Sequence, residues 1–120
     1  MRFRAKPIAV SVDIEGMFMQ VGVKEDGQNV LRFFWHTNQG VKQFQYTRLV
    51  FGAKCSSTIA IVALNQTTVD FCNKEPNTQQ LIRNNFYIDD FAHPYDNLVE
   101  AQESTRAVKV ALQKEGFNLT

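Results

Sequence analysis

Two adjacent aspartates, Asp89 and Asp90, stand inside an otherwise apolar, β-forming run, Asn84-Asn-Phe-Tyr-Ile-Asp-Asp-Phe91. Charge inside such a run costs stability wherever it is buried. The segment from Arg83 to Phe91 is therefore expected to be a strand-like hairpin with Asp89 and Asp90 at its tip. An isolated Asp-Asp pair is ordinarily a solvated turn. With apolar residues on both sides, a functional reason explains this pair better.

A third carboxylate belongs with them. Ile8, Val10, Val12 and Ile14 alternate with Ala9, Ser11 and Asp13, the period of a strand with one buried face, so Asp13 points away from the Ile/Val side. Three carboxylates converging on one sheet edge would repel and desolvate one another unless a multivalent cation neutralised them. An all-oxygen ligand set favours magnesium or manganese over zinc.

The remaining elements follow from pattern. A turn or short helix is expected around Met17–Met19, a loop over Lys24–Asn29, β-rich stretches over Val30–Trp35 and Phe44–Phe51 that pair as a hairpin, and a turn over Thr37–Gly40. Ser56 or Ser57 caps a helix that runs through Ile59–Leu64 towards Cys72; it is apolar nearly all round in its first half and is expected to be buried. The Asn73–Thr78 stretch, with Pro76, ends it. A last helix, capped by Asp96, carries Leu98, Ala101, Thr105, Val108 and Leu112 at helical spacing and stops at Gly116. The order strand, short helix, two strands, helix, hairpin, helix fits a ferredoxin-like α+β sandwich: an antiparallel sheet with helices on one face and the other left open.

Composition sets bounds. The chain has 120 residues, 44% hydrophobic and 21% charged, enough for one core and read here as a single unit, with no apolar run of membrane-spanning length and no secretory leader, so an intracellular location without membrane partners is expected. Cys55, Cys72, His36 and His93 show no zinc spacing. A net charge of +1 excludes a whole-molecule basic field; the basic cluster Arg2, Arg4 and Lys6 is either a solvated terminus or a phosphate contact.

These motifs carry a resemblance. Phe86-Tyr-Ile-Asp-Asp-Phe91 resembles the Tyr-X-Asp-Asp motif of reverse transcriptases, and Val12-Asp-Ile-Glu-Gly-Met-Phe18 resembles the motif holding their first catalytic aspartate. Phe51-Gly-Ala-Lys-Cys-Ser56, between them, is similar to a third motif that shapes the incoming-nucleotide site. Together with Leu31-Arg-Phe-Phe-Trp35 and Gly116-Phe-Asn-Leu-Thr120, the wording is most similar to BEL/Pao-type long-terminal-repeat retrotransposons, over essentially the whole chain.

The resemblance implies a polymerase palm over residues 1–120, with RNA-directed DNA synthesis on a template–primer from deoxynucleoside triphosphates and magnesium or manganese as cofactor. It implies that Asp13 and Asp89 hold two cations, that Asp90 supports them, and that the Ile14 backbone carbonyl adds a ligand. Phe18 would lie under the sugar and exclude a 2′-hydroxyl, Gly52 would let backbone approach the nucleotide, and Tyr87 would touch the primer end. It further implies a cytoplasmic virus-like particle, and a polyprotein that supplies fingers, thumb and RNase H; the fingers are expected to be missing before Asp13, so the chain alone is expected to be inactive.

Some positions depart from the family wording. Ser57 stands where a proline is usual, Ile59-Ala-Ile61-Val replaces a polar-aromatic mixture, and Ala92-His93-Pro94 is an unusual return strand. They leave a second reading, a non-catalytic remnant, either decayed or domesticated as a nucleic-acid-binding module. A third is another two-metal nucleotidyl transferase or cyclase on a palm-like fold.

Overall fold

The computed structural model describes residues 5–71 and 75–120; Arg2, Arg4, Cys72 and Asn73, named above, lie outside them. Strand β1 (Ile8–Asp13) alternates half-buried and exposed residues as its sequence alternates apolar and small or polar ones. It pairs antiparallel with β5 (Asp90–Tyr95), Ile8 opposite Tyr95 and Asp13 opposite Asp90. On its other side β5 pairs with the short β4 (Phe86–Tyr87), giving a three-stranded sheet in the order β1-β5-β4. A fourth segment joins the end of β1: Asp13 and Thr120 exchange both backbone hydrogen bonds, at 3.1 and 2.9 Å, and Glu15 N–H donates to the Asn118 carbonyl at 2.8 Å.

The class is α+β with antiparallel sheets, as expected. α5 (Leu98–Gln113) packs on β1 and β5, and α3 (Ser56–Phe71) and α4 (Pro76–Asn85) pack against it and each other. Short α1 (Met17–Gln20) tucks Met17 and Phe18 into the same core. Ile14, Leu64, Ile82, Val108, Leu112, Phe117 and Leu119 fill that core. Each such side chain contributes roughly 1.5–3 kcal/mol by leaving water.

The two-stranded sheet is separate. β2 (Arg32–Thr37) and β3 (Gly40–Gln45) form a hairpin with Thr37 opposite Gly40, against which no other strand or helix among the described residues packs extensively, and these residues measure 58 × 27 × 24 Å.

Several local expectations are corrected. The Lys24–Asn29 loop contains a helical turn, α2 (Glu25–Gln28), whose Gln28 amide donates to the Val23 carbonyl at 2.8 Å. The second hairpin strand lies at Gly40–Gln45 rather than over Phe44–Phe51, because the tight turn at Asn38-Gln39 sets the register and, past the Tyr46 N–H bond to the Leu31 carbonyl, Thr47–Leu49 leaves the hairpin to bond with Val21 and Val23. Helix α3 begins at Ser56 itself, and the Ser56 hydroxyl is buried without a hydrogen-bond partner rather than capping. Only one stripe of α3 is buried, Ser56, Ala60, Leu64, Thr67 and Thr68, while Ile59, Ile61 and Val62 are exposed.

Pro76 opens a helix instead of merely ending one. At the first position of α4 its missing N–H costs nothing, because that donor would have no intrahelical acceptor. α4 therefore takes in Arg83–Asn85, expected as strand, and leaves β4 two residues long. Pro94 is accommodated in β5 because beyond Phe91 that strand has no partner on the β4 side. The cap of α5 is Asn97, whose side-chain oxygen accepts from Glu100 N–H at 2.8 Å; Asp96 instead pairs with the Lys6 ammonium at 2.6 Å.

The stop of α5 is as expected. Gly116 sits at φ +83°, Phe117 N–H donates to the Leu112 carbonyl and Gly116 N–H to that of Gln113, both at 3.1 Å. That pattern needs a left-handed residue, which glycine adopts without a Cβ clash, and it is accompanied by two buried apolar side chains, Phe117 and Leu112.

Candidate functional site

Register brings the three aspartates together. Asp13 ends β1 directly opposite Asp90, the first residue of β5, and Asp89 is the turn residue just before it. Ile14 N–H donates to the Asp89 carbonyl at 2.9 Å, and the Asn118–Thr120 segment clamps the other side of Asp13 and Glu15. The backbone under Asp13 is thus bonded on both edges. One carboxylate oxygen from each of Asp13, Asp89 and Asp90 lies within 4.8 Å of the others.

No cationic side chain among the described residues forms an ion pair with the triad; the one ion pair there is Lys6–Asp96. The Asp13 carboxyl titrates above its ordinary value, first because neighbouring atoms strip it of water and then because the Asp89 and Asp90 charges face it. Three hard oxygen donors at this spacing, charged alike and lacking a protein counter-ion, fit a divalent cation such as magnesium or manganese.

The hairpin tip is strained. Ile88 is the single non-glycine residue at positive φ, +59°, among the described residues, and it occupies the first position of the two-residue turn between Tyr87 and Asp90. A β-branched residue there costs about 1–2 kcal/mol relative to a relaxed backbone. Packing of its half-buried side chain against the core holds it in place. Sequence reading missed this residue, since glycine or asparagine is the usual signal for such a turn.

The other expected site residues fall as follows. Ile14 buries its side chain in the core, leaving its backbone beside Asp13. Phe18 is 5% exposed and its ring meets that of Phe51 edge-on, centroids 4.5 Å apart, while Phe51 is itself 77% exposed. Phe18 is thus a core ring lidded by Phe51. Gly52 has φ +85° and open space where a Cβ would lie, so the conformation, rather than crowding within the chain, calls for glycine there. Tyr87 is 78% exposed and opposite Asp90 on the open sheet face. Ser57, Ile59 and Ile61 lie on α3, outside the triad.

A groove of about 1170 Å³ adjoins the triad at Asp90, is lined also by Tyr87, and is walled by Asn77, Gln80 and Asn84 of α4. It was illegible because α4 itself was not foreseen. In its lining, Asn85 donates through its side-chain nitrogen to the Leu81 carbonyl at 2.9 Å, which turns its oxygen to His93 Nδ1 at 2.8 Å and makes that ring nitrogen the donor.

No helix among the described residues is long and apolar enough to cross a membrane. No protein of curated function matches the chain by sequence. The sequence pattern of the family described as reverse transcriptase (RNA-dependent DNA polymerase) matches residues 2–120. The match spans nearly the whole sequence, the fold is α+β with antiparallel sheets, and the chain belongs to the reverse transcriptase family.

Proposed function

We propose that residues 1–120 form the palm of a BEL/Pao-type RNA-directed DNA polymerase and that Asp13, Asp89 and Asp90 are its catalytic carboxylates. The observation that carries this reading is the convergence of three carboxylates from β1 and the β4–β5 turn, within 4.8 Å, on a sheet edge beside an open face. Magnesium or manganese, when bound, would lower the pKa of a primer 3′-hydroxyl and offset charge on the triphosphate and its leaving group.

Asp13 and Asp89 supply the ligand oxygens, Asp90 orients and balances them, and the Ile14 carbonyl is placed beside Asp13 to add another. Tyr87, projecting from the same face as Asp90, meets the primer end. Phe18 and Gly52 define the floor and edge of the nucleotide site, with Phe18 supplying the bulk that disfavours a 2′-hydroxyl. Because no Lys or Arg among the described residues pairs with the triad, the triphosphate charge needs cations from fingers supplied by other parts of a polyprotein. The chain by itself is therefore proposed not to extend a primer.

The test is primer extension on an RNA template with magnesium, comparing the chain alone with the chain joined to fingers and thumb. Activity is expected in the joined form alone, and Asp89→Asn is expected to lower it about a thousandfold, the several kcal/mol that a metal-held charge is worth. Undiminished extension by Asp89→Asn would sink the catalytic assignment and leave a binding remnant.

A further inference from the structure

We infer that the β2–β3 hairpin is a binding ribbon for unpaired nucleic-acid bases, separate from the aspartate site. Strand pairing sorts its side chains into two faces. Phe33 lies opposite Phe44 and Trp35 opposite Lys42, so Phe33, Trp35, Phe44 and Lys42 share one face, and Tyr46 extends it. Phe33 is the half-buried centre, with ring centroids 5.9 Å from Phe44 and 4.8 Å from Tyr46. Around it Trp35 is 63% exposed, and Phe44 and Tyr46 are each 42% exposed.

Such a row of rings is costly to leave in water, and no helix or strand among the described residues packs extensively over it. The charge around it says what would cover it. From Gly27 to Val69 the chain carries Arg32, Lys42, Arg48 and Lys54 and no carboxylate; all 12 Asp and Glu residues lie elsewhere. The near-neutral whole therefore conceals a cationic segment that bears the aromatic ribbon. Flat rings with Lys42 among them, in a segment whose other charges are all cationic, match a single strand, whose bases stack on aromatics while its phosphates meet Lys and Arg. A base-paired duplex offers its phosphates but not its ring faces.

The inference rests on the hairpin's own chemistry, and its test omits divalent cation so that failure of the polymerase reading leaves it untouched. Trp35 is the one tryptophan of the chain, so its fluorescence reports on this face alone. In EDTA, an oligothymidylate of about 20 nucleotides is expected to quench Trp35 and to bind more tightly than a duplex of equal length. By anisotropy of the labelled oligonucleotide, Trp35→Ala and Phe44→Ala are each expected to weaken binding about tenfold, the lower part of what one stacked base contributes. Lys42→Glu, at an exposed position that leaves the rings intact, should also flatten the logarithmic salt dependence by about 0.7. Wild-type affinity in Trp35→Ala and Phe44→Ala, or fluorescence indifferent to the oligothymidylate, overturns the inference. So does a sedimentation result in which the chain is a dimer that these substitutions dissociate, since the ribbon would then be a self-interface.

Discussion

Asp13→Asn is expected to stabilise the metal-free chain. At the 4.8 Å limit of the triad, two unit charges repel by about 0.9 kcal/mol in a water-like dielectric. At physiological ionic strength a screening length of about 8 Å leaves roughly half of that. Asp13 takes part in two of the three pairings, so neutralising it relieves about 1 kcal/mol, or roughly 4 °C in Tm for a chain of this size. The Asp13 carboxylate accepts no hydrogen bond among the described residues; its backbone carbonyl does that work, and the amide keeps it. The sign with pH follows from its raised pKa. The folded chain holds a proton on Asp13 more tightly than the unfolded one, so the wild type loses stability as pH rises from the ordinary value of 3.8 through the raised folded one, and the advantage of Asn appears above that window. Differential scanning fluorimetry at neutral pH and again below pH 3.8 checks both halves. Magnesium or manganese at about ten times its dissociation constant should add about 1.4 kcal/mol to the wild type and little to Asp13→Asn. A lower Tm for the metal-free variant, or equal metal responses in the two proteins, would refute the electrostatic account of the triad.

Two further outcomes test the scaffold. Leu112, fully buried in α5 against the core, is expected to cost about 2–5 kcal/mol on truncation to alanine in urea unfolding, whereas Val110→Ala, half-exposed on the same helix, should change stability by less than about 0.5 kcal/mol; equal effects would mean the helix face is misassigned. Burial, then the Lys6 charge, and against them the weaker pull of Glu100, leave the His93 pKa below the ordinary 6.5. The unfolded chain therefore protonates first, and stability present above about pH 6.5 is lost as pH falls through the lowered folded value. His93→Gln should flatten that acid-side decline in urea midpoints, and parallel wild-type and variant curves would contradict it.

How much of this was legible in the sequence varies with the range of the interactions involved. The alternation of Ile8–Ile14 put Asp13 on the open face because side-chain direction in a strand has a period of two, a local rule. The spacing of Ala101, Val108 and Leu112 and the Gly116 stop marked α5 for the same kind of reason. The apolar frame around Asp89 and Asp90 points to a turn, and the turn is there, though it is formed by Ile88 and Asp89 while Asp90 opens β5. α4 was missed because Pro76 terminates or initiates a helix depending on which side the chain continues, and composition does not say which. The first half of α3 is apolar nearly all round, which by pattern alone points to burial, yet packing covers one stripe and leaves Ile59, Ile61 and Val62 outside.

By itself, then, the sequence determined the α+β class, the open-face position of Asp13, the acidic turn and the family wording, all consequences of periodicity and motif. Only the tertiary structure decided that Asp13 faces Asp90 across a strand pair, that Asn118–Thr120 brace Asp13 from more than a hundred residues away, and that Ile88 is held at positive φ by core packing. It also decided that the aromatic hairpin stands apart from the core. Each depends on register or packing between segments distant in the chain, where the free energy of one residue is set by neighbours that no local pattern names.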